Sequence, residues 1–266
     1  MKRRISHLYL GTVLILLYIP IFYLIMFSFS KGQSMNYFHG FTWEHYQTLF
    51  SDNRFIGIFL DTIMLALLSS LIATVVGTMG AIAISEAKNK KEERIYLAIN
   101  NILIVSPDVI IGASFLIFFT AIGLHLGFIS VLLSHVAFSI PIVVLMVLPK
   151  LKEMDRTLVD AARDLGANNY QVFDQVVIPA ILPGILSGFF MALTYSLDDF
   201  AVTFFVTGNG FTTLSVEIYS RARQGIDLEV NALSAIIFLV VLVLVFIYYF
   251  LSIKKSKKHR IGGLIK

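Results

Sequence analysis

Six stretches of this chain are each long and apolar enough to cross a lipid bilayer: residues 8 to 30, 56 to 84, 97 to 121, 128 to 149, 178 to 206 and 232 to 253. A hydrocarbon core takes about 20 apolar residues in a helix, and helices satisfy their own backbone groups where no water reaches them. Of 266 residues, 57% are hydrophobic and 14% charged, too few polar side chains to coat a water-soluble domain of this length. The sequence therefore predicts an all-α integral membrane protein with six transmembrane helices in one domain spanning residues 1–266. No internal repeat or appended soluble domain interrupts it. Two of the stretches are long enough to tilt or break. The first follows Lys2, Arg3 and Arg4 as a signal peptide does, but it runs too long and lacks a small-residue cleavage site. It reads as an uncleaved span kinked at Pro20.

The basic residues fix an orientation. Seventeen of the 21 fall on one side: Lys2, Arg3 and Arg4; Lys88, Lys90, Lys91 and Arg94; Lys150, Lys152, Arg156 and Arg163; and Lys254, Lys255, Lys257, Lys258, Arg260 and Lys266. Only Lys31, Arg54, Arg221 and Arg223 fall on the other, so both termini are expected in the cytoplasm. The net charge of +4 lies where anionic headgroups lie, which makes lipid and not nucleic acid its partner. The absence of cysteine excludes disulfides, thiolate catalysis and cysteine-ligated metals. There is no GxxxxGK[ST] loop to cradle a nucleotide. The outer segment 31 to 55 carries Phe41, Trp43, Tyr46, Leu49 and Phe50 at helical spacing, as suits a short helix in the outer interface.

Residues 155–179, between the fourth and fifth stretches, alternate polar and apolar positions in a way a plain connector does not need. Leu158, Ala161, Ala162 and Leu165 form one stripe of a short helix, and Gly166 follows as a left-handed terminator. Asn168 caps a second helix in which Tyr170, Phe173 and Val177 share a face until Pro179. The result is an amphipathic hairpin, suited either to docking in a partner's groove or to lying on the headgroups or its own bundle.

Asp160-Ala161-Ala162, then Gly166, then Val176, Ile178 and Pro179, resembles the Glu-Ala-Ala loop of importer permeases of the ATP-binding-cassette superfamily, with every spacing kept and Asp in place of Glu. The resemblance runs through Tyr46-Gln47-Thr48-Leu49-Phe50 and Ser106-Pro107-Asp108. Ser196-Leu197-Asp198-Asp199-Phe200 and Glu229-Val230-Asn231-Ala232 look most like the spermidine/putrescine permeases, C-type subunit. It implies a type I importer permease (MetI-like) in a bacterial cytoplasmic membrane, without catalysis of its own. It further implies a homologous second permease, two cytoplasmic ATPase subunits that hold ATP and Mg, and an extracytoplasmic polyamine-binding protein. Asp160, Ala161, Ala162, Leu165, Gly166, Tyr170 and Phe173 would then meet an ATPase.

Acids inside a membrane cost several kcal/mol unless they face protein or water, which singles out Asp108, Asp198 and Asp199 as path residues for a cationic cargo. Tyr195, Phe200 and Phe204 add aromatic faces for ammonium groups. The structural alternative is that Ser106-Pro107-Asp108 restarts a helix and that Ser196-x-x-Asp199 is a capping box. Asp61, Glu217 and Glu229 are expected hydrated, near outer boundaries. Competing readings are an importer of another small solute, an ATP-independent channel or carrier, and an intramembrane aspartyl protease, although the last lacks a GxGD string.

Overall fold

The computed structural model describes residues 2–32, 35–155, 157–224, 228–240, 242, 243 and 246. Arg156, most of the later part of the sixth apolar stretch and the basic tail lie outside the described residues. The helices are α1 (Lys2–Phe27), α2 (Glu44–Ser51), α3 (Asn53–Ser85), α4 (Lys90–Val105), α5 (Asp108–Ala121), α6 (Phe128–Glu153), α7 (Thr157–Asp164), α8 (Asn169–Val172), α9 (Ile178–Asp198), α10 (Ala201–Val206) and α11 (Leu214–Gln224). A shorter apolar helix, α12, follows at Leu228–Val240.

Among the described residues, four helical runs are long and apolar enough to cross a bilayer: Tyr9–Phe27 within α1, α3, α6, and Asn169–Asp198, which joins α8 to α9. The stretch 97 to 121 is not one straight span. It divides between α4 and α5, which bend by 99° and make a fifth crossing only as a pair. Pro107 causes the break. It pushes Ser106 into extended backbone (ψ 138°), and with no N–H of its own it cannot continue the α4 ladder. The α5 ladder starts afresh from the Pro107 carbonyl, which accepts the N–H groups of Ile110 (2.9 Å) and Ile111 (3.1 Å). The stretch 178 to 206 breaks likewise, after Asp198.

Contacts gather into two compact units, one of residues 57–217 and one of residues 1–56 with 218–266. In the first, Val143, Val144, Val147 and Leu148 of α6 pack with Ile181 and Ala192 of α9 and with Ala81 and Ile84 of α3. Small residues let these backbones meet, since lipid supplies little hydrophobic drive between helices and close packing must supply the attraction. A Cβ at Gly184 would stand 2.9 Å from the Met146 carbonyl, and one at Gly77 only 2.7 Å from Val143 Cβ. A second cluster joins Ile111 and Phe119 of α5, Val131 and Phe138 of α6, and Val202 and Val206 of α10. Glu217, expected to be hydrated, is instead buried, with 7% of its surface exposed.

The glycine contacts give an internal comparison. Gly77→Ala is expected to destabilise the detergent-solubilised protein by about 1–3 kcal/mol, because the new methyl overlaps a β-branched side chain that has no room to yield. Gly80→Ala, whose Cβ would meet Val144 Cγ2 at an ordinary 3.5 Å, leaves the melting temperature unchanged. Equal melting temperatures for the two variants would remove the close-packing argument.

In the other unit, Phe29 is stacked against Phe41 (5.2 Å) and Tyr46 (5.1 Å), with Trp43 edge-on at 5.0 Å. The short helix expected between 31 and 55 is α2, with Leu49 buried and Phe50 exposed. Arg221 donates to Glu229 (3.0 Å) and Asp52 (3.3 Å) while its guanidinium lies over Phe55. Glu229 is thus held in an ion pair. The Phe55 N–H, and after it Arg221, hold the Asp52 carboxyl below the usual carboxylate range.

Candidate functional site

The segment 155–179 forms a hairpin whose turn is tied at both ends. The Asp155 carboxylate accepts the Thr157 N–H (3.0 Å) where α7 begins, and that bond lowers its pKa. At the other end of α7, Gly166 adopts φ +87°. There the Ala167 N–H reaches the Ala162 carbonyl (3.0 Å) and the Gly166 N–H the Arg163 carbonyl (2.9 Å), the two bonds of a Schellman terminus. Asn168 then accepts the Gln171 N–H while Gln171 accepts the Asn168 N–H, both at 2.9 Å, which closes a capping box.

The second helix does not stop at Pro179 as the sequence suggested. A wide π-type turn, Phe173–Val177, carries α8 into α9, and Ile178 N–H reaches back to the Phe173 carbonyl. Opening the ladder just before a residue with no N–H accommodates Pro179 without ending the helix. This turn also divides the expected face. Phe173 and Val177 line a groove of about 940 Å³ with Val159, Asp160, Arg163 and Val172, closed by Ile82, Glu86 and Lys152. Tyr170 (74% exposed), Leu165 (89%) and Leu158 (53%) point outward. Ala161 is exposed and Ala162 half-buried, so small residues leave room beside those apolar tips. Lys152 pairs with Glu93 and brings the basic segment near residue 90 to the same end of the unit.

At the far end of α9, 21 residues or about 30 Å along the helix, lie the acids. Asp108 opens α5 and is exposed, and the Tyr195 hydroxyl donates to its Oδ1 at 3.5 Å. Tyr195 is in turn edge-on to Phe138 at 5.3 Å. Asp198, the last residue of α9, is exposed, as is Phe204, while Phe200 is half-buried and 5.4 Å from the Phe204 ring. These five residues therefore sit around the two helix breaks. Ser106 does not cap α5: its hydroxyl returns to the Ile102 carbonyl at 2.7 Å.

Asp199 differs from its neighbour. Its side chain is 6% exposed, and it accepts the N–H groups of Val202 (3.2 Å) and Thr203 (2.8 Å) and the Thr203 hydroxyl (2.7 Å). It caps α10. Ser196, read in the alternative as the start of a capping box, lies buried inside α9 and caps nothing. Its hydroxyl meets His135 Nδ1 at 2.7 Å and Ser69 Oγ at 3.0 Å. His135 is fully buried on α6, with Nε2 2.9 Å from Thr203 Oγ1 and 3.5 Å from Asp199 Oδ2. Sequence reasoning passed over His135, although an ionisable side chain in an apolar span is the signal that selected the aspartates. Among the described residues, no group of three or more His, Cys, Asp or Glu side chains is placed to hold a metal ion.

Residues 73–254 match the family described as the inner membrane component of binding-protein-dependent transport systems. A spermidine/putrescine transport system permease protein of Haemophilus influenzae, PotC, is 33% identical over 240 residues, covering 90% of this chain and 93% of that protein. A putrescine transport system permease protein of Escherichia coli K12, PotI, is 31% identical over 249 residues, covering 91% and 89%. In fold, the chain is similar to one in the crystal structure of a bacterial alginate ABC transporter in complex with an alginate pentasaccharide-bound periplasmic protein. That similarity has a TM-score of 0.70 at 20% identity and covers 93% of each chain.

Proposed function

This chain belongs to the family of binding-protein-dependent transport system inner membrane components, and we propose that it is one permease subunit of an ATP-binding-cassette importer that brings polyamines into the cell. The observation that carries the reading is the hairpin. Its turn is closed by hydrogen bonds at both ends, its outer tips Leu158, Leu165 and Tyr170 are apolar and exposed, and it continues without a stop into the helix whose other end bears Asp198. In this reading all six apolar stretches cross the membrane, and both termini and the hairpin face the cytoplasm. Two ATPase subunits, which bind ATP and Mg, dock on this chain and on a homologous permease, and an outer binding protein delivers the cargo. ATP-driven closure favours one arrangement of the bundle because the motor binds the two arrangements with different affinity.

A polyamine carries several ammonium groups along a flexible chain. Exposed Asp108 and Asp198, with Tyr195 bonded to Asp108 and exposed Phe204 on the following helix, give such a cation spaced counter-charges and ring faces, each ring contact contributing about 0.5–2 kcal/mol. The test is radiolabelled spermidine and putrescine uptake by proteoliposomes holding the complete complex and its binding protein. Uptake that needs ATP and vanishes when the ATPase subunits are omitted is the expected result. Uphill uptake by this chain alone would overturn the reading of an importer subunit. ATP turnover stimulated by the binding protein, with no polyamine entering, would overturn the cargo.

A further inference from the structure

His135 touches none of the exposed acids, yet it is bonded to α9, which holds Asp198, and to α10, which packs on the helix that Asp108 opens. Through Nδ1 it grips Ser196 (2.7 Å), which lies between Tyr195 and Asp198 on the last turn of α9. Through Nε2 it grips Thr203 (2.9 Å), in the first turn of α10. Its ring packs on Phe138 at 4.9 Å, and Phe138 packs on Tyr195, the partner of Asp108. Helix α10 is in turn fitted to α5, because a Cβ at Gly112 would stand 3.0 Å from Val202 Cα. The break at Asp199 is therefore spanned by one imidazole, and the segment that starts with Asp108 is keyed to the same helix.

Donor counting fixes one side of the ring. The Thr203 hydroxyl gives its proton to Asp199 Oδ2, so Nε2 must be the donor toward Thr203. On the other side Nδ1 meets the Ser196 hydroxyl, which also meets the Ser69 hydroxyl, itself donating to the Ala66 carbonyl at 3.2 Å. Every member of this buried network has a partner, which is the condition under which such a network rigidifies its surroundings. A residue with that reach, wholly shielded and without access to cargo, has positioning as its available role.

Resting on the polyamine reading above, we propose that His135 is a positioning residue that sets the placement of Asp198 relative to Asp108, and so the preference of the path between cations with two and with three ammonium groups. A longer trication meets both acids at once and depends on their spacing, whereas a short dication satisfied by one acid does not. Loosening the crosspiece penalises the trication.

The experiment measures uptake of spermidine and putrescine by the reconstituted complex carrying unaltered chain, His135→Leu, His135→Gln or Thr203→Val. His135→Leu and Thr203→Val are expected to raise the spermidine KM about fivefold or more with less than about twofold change for putrescine, ratios well within the loss of one buried hydrogen bond. His135→Gln, which keeps an N–H near the Nε2 position, recovers part of the spermidine KM. Melting temperature and complex yield are recorded for each variant. Equal losses for both cargoes, or lower Vmax in proportion to lost folded complex at unchanged KM, would show a structural residue only and overturn the proposal. Failure of the unaltered complex to take up either amine sinks the cargo reading instead, so the two failures are told apart.

Discussion

Gly166→Arg is expected to abolish uptake and to weaken co-purification of the ATPase by at least about tenfold, the ratio that 1.4 kcal/mol produces, while the helices stay inserted. Two effects combine at this position. Gly166 has φ +87°, where any side chain costs about 1–2 kcal/mol, and it closes both bonds of the terminus that turns α7 toward Asn168. Among the described residues, its chain neighbours aside, nothing lies within 4 Å of where its Cβ would be, so an arginine there projects into open space next to the exposed Leu165. That is the space a docking partner would occupy. Gly166→Ala separates the two effects, since it adds the strain without the bulk and is expected to keep measurable uptake and ATPase binding. Alanine as harmful as arginine would assign the loss to backbone strain. Normal uptake with arginine would mean that the hairpin tip meets no motor.

The hairpin was legible because short-range chemistry determines it. A glycine with positive φ and an asparagine with glutamine three residues later act within one turn of themselves, so Gly166 and Asn168 do in the fold what their sequence context implies. Hydropathy marked where apolar helices lie but not where they break. The 99° bend at Pro107 turns on one missing N–H within an unbroken apolar run, and the wide turn before Pro179 keeps a helix going where a proline was expected to end it. Whether a proline bends, breaks or is absorbed depends on the backbone groups around it, and those are settled by tertiary packing. For the same reason Glu217 reads as hydrated by position and is buried in the fold. His135 stood out only as an ionisable residue in an apolar span; its role was illegible because its partners Ser196 and Thr203 are 61 and 68 residues away, and no local pattern joins them.

Bonds only three and four residues along the chain divide the two adjacent aspartates, both of which the sequence singled out as path residues. Asp199→Leu is expected to destabilise the protein by about 3–5 kcal/mol, since each buried donor left without its acceptor costs about 1–3 kcal/mol. Its carboxylate accepts three hydrogen bonds at the start of α10, and its loss leaves the Val202 and Thr203 N–H groups without acceptors. Even Asp199→Asn costs stability, because Thr203 offers its N–H and its hydroxyl to the same oxygen, and an amide cannot accept both at Oδ2 while still accepting Val202 at Oδ1. Asp198, exposed one residue earlier, carries no such load. Asp198→Asn is therefore expected to leave the melting temperature within about 1 °C, as surface substitutions within ±0.5 kcal/mol do, while spermidine uptake falls about tenfold with ATP turnover retained. Melting curves and initial uptake rates on the two variants decide the matter. If Asp198→Asn melts early, or Asp199→Leu melts normally and loses only transport, then the side chain that holds the helix break and the side chain that meets the cargo have been exchanged.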